Sequence, residues 1–132
     1  MPSATSPNSP SLSADLARFL SGLSGAVDAR LLDVATDRLT DTVASMVFGA
    51  EQPWSRMVID HATSSGAVGR STIIGGPDTG TTPVMAALAN GASAHAFELD
   101  DVHEEAINHP GAVVVPAALA LAEHLDCAGR DL

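Results

Sequence analysis

Between Pro83 and Leu125 two nearly uncharged runs of Ala, Gly, Val and Leu flank a dozen residues that crowd together five carboxylates and two histidines. The first run, Ala86 to Ala94, has walls of Ala, Gly and Ser, so another backbone can approach it closely. A helix with such walls suits a central position, packed on several sides. The loop from Glu98 to His109 carries Glu98, Asp100, Asp101, His103, Glu104, Glu105 and His109. Lying between two apolar helices, it sits at the end of a buried layer and not on a charged face.

The remaining patterns read as helices. Ser11 or Ser13 can cap a first helix, and Leu12, Leu16, Phe19, Leu20 and Leu23 recur at spacings of three and four until Gly22 and Gly25. A second helix is predicted from about Asp28 to Phe48, with Leu32, Ala35, Leu39, Val43 and Met46 on one stripe and Gly49 as its stop. Pro53 opens a third, carrying Trp54, Met57, Val58 and His61, with His61 at or near its surface. Thr82-Pro83 opens the fourth as hydroxyl cap and first-turn proline, and Val84, Ala87, Leu88, Gly91 and His95 fall on one side of it. The last runs from Ala112 to about His124, with Pro116 in its first turn or at a kink and Gly129 placed to end it.

Ser71 to Ile74 is a short β-type run inside Gly-rich turns. Gly69, Gly75, Gly76 and Gly80 do not match a phosphate loop, which needs a Lys that is absent, so the segment reads as an extended connector. The fold class expected is all-α, about five helices with one short extended segment. Residues 1–10 read as a disordered leader and 11–132 as one helical domain. Three Phe, one Trp and no Tyr agree with helices packed on small side chains.

A net charge of -10 argues against nucleic acid as a partner. No apolar stretch approaches the roughly 20 residues that span a bilayer, so no membrane partner is expected. The single Cys127 excludes an intrachain disulfide and a cysteine-ligated iron–sulfur cluster within one chain, which fits a cytoplasmic setting.

The loop itself admits three readings. Glu98, Asp100, Asp101, His103 and His109 can supply a general acid or base, since crowding moves carboxylate and imidazole titration toward neutrality. The same groups can ligate a divalent cation, although D-x-x-H alone is a weak spacing signal. They can also be a solvated loop in which Asp100 or Asp101 caps a helix and His109 bonds locally near Pro110.

Asn90-Gly91, Ala94 through His103, His109-Pro110-Gly111 and Pro116 through Glu123 together resemble the MmgE/PrpD family, whose pattern runs N-G-x-x-x-H-x-x-D-[FY]-D-D-T-H, a spacer, then H-P-[GS] and an Ala/Leu helix. Leu39-Thr40-Asp41-Thr42-Val43 and Ser71 to Gly76 are similar to two further family segments. Glu98 stands where the family usually has Asp, and Val102 where it usually has Thr. The resemblance implies a large helical domain plus a smaller lid domain, as a homodimer, acting on small di- or tricarboxylates by dehydration, decarboxylation or epimerisation.

It implies no cofactor and no metal, and it carries catalytic roles to Asp101, His103 and His109 and substrate contacts to Glu98 and Asp100. On this reading 11–132 is part of the helical domain, the lid is absent, and the chain alone is inactive. The alternatives are a non-catalytic helical interaction module and, behind it, a metal-binding domain. A polycarboxylate site needs cations, and Arg70 and Arg130 are the nearest to the loop in sequence.

Overall fold

The computed structural model describes residues 11–23, 28–66, 68–129 and 132, and is all-helical: α1 Leu12–Gly22, α2 Ala29–Gly49, α3 Pro53–Ser64, α4 Pro83–Ala94 and α5 Pro110–Leu125. The leader, Gly25 and Arg130 lie outside the described residues. The chain divides into two units, 1–33 and 34–132. In the first, Ser11 Oγ accepts a hydrogen bond from Ala14 N and starts α1. The second holds the body of α2, the remaining helices and the acidic loop. No helix among the described residues is long and apolar enough to cross a membrane.

Within the second unit α4 packs against α3 and α5. The face it buries is Ala86, Ala89, Asn90, Ser93 and Ala94, whereas Val84 and Leu88, from the other side of the helix, are exposed. Small residues win the interior because they let neighbouring backbones come close. Gly49 at the end of α2 lies so near the Ser93 carbonyl that a Cβ there would overlap it. The core accordingly contains Ala50, Ile59, Ala62, Ile73, Ala86, Ala89 and Ala120, with Met46, Ala94 and Ala112 as a second cluster.

Two helix ends differ from the sequence expectation. Thr82 takes the cap position of α4 without a side-chain cap bond, leaving Pro83 as the starting signal. Helix α5 ends at Asp126 in left-handed conformation (φ 60°), three residues before Gly129; a short polar side chain tolerates that geometry. Pro116 lies inside α5 and is buried. Lacking an N–H, it cannot bond the Ala112 carbonyl one turn earlier. A Cβ on Gly91 of α4 would meet that carbonyl oxygen at 3.0 Å, so the proline and the glycine sit where the two helices approach closely.

The extended segment forms no strand; Ser71 and Thr81 make a single antiparallel bridge. Side chains hold it. Ser71 Oγ donates to Ala120 O (2.6 Å), and Glu123 accepts from both Thr72 N and Thr72 Oγ1 (2.7 Å each). Asn90 accepts from Ile74 N and donates to Thr72 O, both at 2.9 Å, as a neighbouring strand would. Asn90→Ala takes the partner from the part-buried Ile74 N–H and from the Thr72 C=O and is expected to cost about 1–2 kcal/mol. A urea midpoint equal to the parent's would refute this.

Candidate functional site at the α4–α5 loop

The α4–α5 loop is shaped by backbone geometry before any side chain is considered. Glu98 and Ile107 both take positive φ (53° and 49°), and His103 and Asn108 pair across a small antiparallel bridge. Asp100 is thereby turned inward, its side chain fully buried. Its carboxylate faces His95 Nδ1 at 3.1 and 3.2 Å. Its Oδ2 lies 3.3 Å from His109 Nδ1. The two imidazoles meet edge to face with centroids 4.4 Å apart.

A carboxylate oxygen accepts, so the contact with His95 assigns its proton to Nδ1 and leaves Nε2 for other work. The approach to His109 is not aligned as a hydrogen bond. Its Nδ1 is buried and has no hydrogen-bond partner among the described residues. A buried ring nitrogen beside a carboxylate without a proper bond costs free energy, so this position is held by the surrounding fold.

The other candidates from the sequence are placed differently. Asp101 Oδ1 accepts from Gly111 N at 2.8 Å, capping the start of α5 from ten residues away, the role that the solvated-loop reading gives it. Gly111 has no room for a Cβ, which would overlap Asp101 Oδ1 and crowd Thr42 Oγ1. His103 Nδ1 accepts from Ala106 N (3.2 Å) within its own turn, and its side chain is not part of the Asp100 cluster. Glu98 is exposed. Of the five candidates the structure brings Asp100 and His109 together.

The third member, His95, is absent from the sequence-derived set. The sequence signal for it is the N-G-x-x-x-H stretch from Asn90 to His95, whose histidine falls at the C-cap of α4, five residues ahead of Asp100. A helix end followed by a tight loop brings residues at that distance back together.

The cluster borders an open groove of about 500 Å³ between α4 and α5, walled by Leu88, Gly91, Ala112, Val113 and both histidines. From Ser71 to Gly129 the sequence has neither Arg nor Lys. Arg70 is paired with Asp126, and Arg56 with Glu51 and the Gly75 carbonyl. The junction of α4 and the loop is anchored by Trp54, whose Nε1 donates to Ala96 O (3.1 Å) and whose ring lies 6.2 Å from that of Phe97.

Among known proteins, the chain is similar to cis-aconitate decarboxylase of Aspergillus terreus, 36% identical over 103 residues that make up 77% of this chain and 21% of that protein. A cis-aconitate decarboxylase-like protein of Aspergillus oryzae is 33% identical over 97 residues, 74% of this chain and 20% of its own length. Human cis-aconitate decarboxylase is 42% identical over 55 residues, 42% of this chain and 11% of that protein. The chain thus spans about a fifth of the length of the first of these relatives. Residues 14–132 match the family model of the MmgE/PrpD N-terminal domain, and with it the chain belongs to the MmgE/PrpD family.

Proposed function

We propose that this chain supplies the N-terminal wall of a lyase- or isomerase-type active site for small di- or tricarboxylates, and that it is inactive without further cationic groups. The observation that carries the reading is the His95–Asp100–His109 cluster on the α4–α5 groove. His109, partly exposed and backed by a buried carboxylate, is the group best placed to move a proton at a bound acid. Decarboxylation, dehydration and epimerisation of such acids all proceed through charge developing beside a carboxylate, and that charge needs positive partners. None of the described residues offers one at the groove, and the rest of a relative-length protein would have to bring them.

The test has two arms. The chain alone, assayed with cis-aconitate and with 2-methylcitrate, is expected to show no turnover above buffer. Fused in place of the matching segment of the A. terreus enzyme, it is expected to support turnover that falls about 10²- to 10⁴-fold in the His109→Ala fusion. Ordinary turnover by the isolated chain, or a fusion indifferent to His109, would overturn the proposal.

A second reading, a non-catalytic assembly module, is favoured by a different observation. Val84, Leu88, Val113, Val114 and Leu121 on α4 and α5 are exposed, an apolar surface of the kind that marks an interface. It would be built as a homo-oligomer. A compact monomer in sedimentation at high concentration counts against it.

A further inference from the structure

We propose that the acid handled at this site carries an unbranched alkyl arm, about as long as a hexyl chain, and that the arm lies in the α4–α5 groove with the carboxylates at its histidine end. This adds the substrate's chemical class to the reading of the groove as one wall of a polycarboxylate site, on which it rests. The lining selects the occupant. Apart from His95 and His109 it has no polar side chain: Leu88, Ala92, Ala112 and Val113 are apolar, and Gly91 has none. An ionised carboxylate laid among these walls would lose its water and gain no partner. No Arg or Lys occurs from Ser71 to Gly129 to receive it. Among the lining side chains only the imidazoles can donate a hydrogen bond, so the charged head belongs at their end and an uncharged tail along the rest.

The dimensions agree. From His95 back to Ala87 the groove follows α4 for about 12 Å. That leaves room for an extended hexyl chain beyond the head group, and far more than a methyl group fills. The floor is open because Gly91 has no side chain; a Cβ there would meet Ala112 O at 3.0 Å. Leu88 and Val113 are 48% and 72% exposed, so their apolar area is available to a ligand. Apolar walls with a few convergent polar groups at one end are the common form of a small-molecule site.

A binding series that needs no turnover tests this. Succinate, methylsuccinate, propylsuccinate and hexylsuccinate are titrated into the full chain and followed by the methyl resonances of Leu88 and Val113. The groove is open on one side, so each added methylene is expected to tighten binding about 2-fold, less than full burial gives. Hexylsuccinate should therefore bind about 30-fold more tightly than methylsuccinate. The dependence on chain length should vanish in Leu88→Asp and Val113→Asp, changes at exposed positions that the fold tolerates. It should persist in Met57→Asp and Leu121→Asp, which alter exposed apolar residues outside the groove. An affinity indifferent to chain length, or a dependence that survives both groove variants, overturns the proposal.

The same series is run on the fusion with the A. terreus enzyme. Loss of the chain-length dependence there would mean that the rest of the enzyme fills the groove, and overturns the proposal even where turnover is normal. A dependence kept in a fusion indifferent to His109 supports the alkyl arm while refuting the acid–base role, so the two failures are told apart. Leu88 and Val113 resonances that shift with protein concentration and not with the alkylsuccinates would put a second copy in the groove, which also overturns it.

Discussion

Asp100→Ala is expected to lower the unfolding free energy of the 34–132 unit by about 3 kcal/mol, seen as a lower urea midpoint. The carboxylate is fully buried and faces two imidazole nitrogens. Removing it takes the acceptor from His95 Nδ1, which is half exposed, and leaves empty space beside the buried Nδ1 of His109. Solvent softens the loss at His95, so most of the cost lies in the buried space that the missing carboxylate leaves between the two rings. Asp100→Asn keeps the shape but presents an N–H₂ to one of the two rings, and should lie between parent and Ala. Equal midpoints for Asp100→Ala and the parent would show that the cluster contributes nothing to the fold.

Gly49→Ala is expected to destabilise by about 3 kcal/mol, although Ala is the better helix former by about 1 kcal/mol. The added methyl would overlap the Ser93 carbonyl oxygen and touch Ala96. The obstacle is backbone, so no rotamer change relieves it, and α2 and α4 must separate. Gly22→Ala in α1 meets nothing within 4 Å and should be neutral or slightly stabilising. The two variants carry the same chemical change, so their difference in thermal midpoint isolates the steric contribution. Similar midpoints would mean that the α2–α4 approach is looser than described.

The helices were readable because their boundaries are local chemistry: Ser11 as cap, Pro53 and Pro83 in first turns, Gly49 as stop. Which side of α4 faces inward was not. Periodicity ranks faces by hydrophobicity, and here Val84 and Leu88 outrank the alanines that are buried. Close backbone approach decides the matter, and it depends on partners distant in sequence. The acidic loop was located by its density of carboxylates and histidines, yet its internal order depends on backbone turns at Glu98 and Ile107. Those turns place Asp100 between histidines and send Asp101, its neighbour, to a helix end. Adjacent residues of identical chemistry thus take different tasks, and no composition rule separates them.

Trp54 gives the molecule an optical property of its own. The chain has one Trp and no Tyr, so ultraviolet emission excited in the indole band comes from a single position. That indole is tethered to Ala96 and leans toward Phe97, immediately ahead of the acidic loop. Its fluorescence therefore reports on the residues that lead into the loop without any attached dye, and a ligand that rearranges residues 98–109 can be followed by colour and intensity in the unmodified protein.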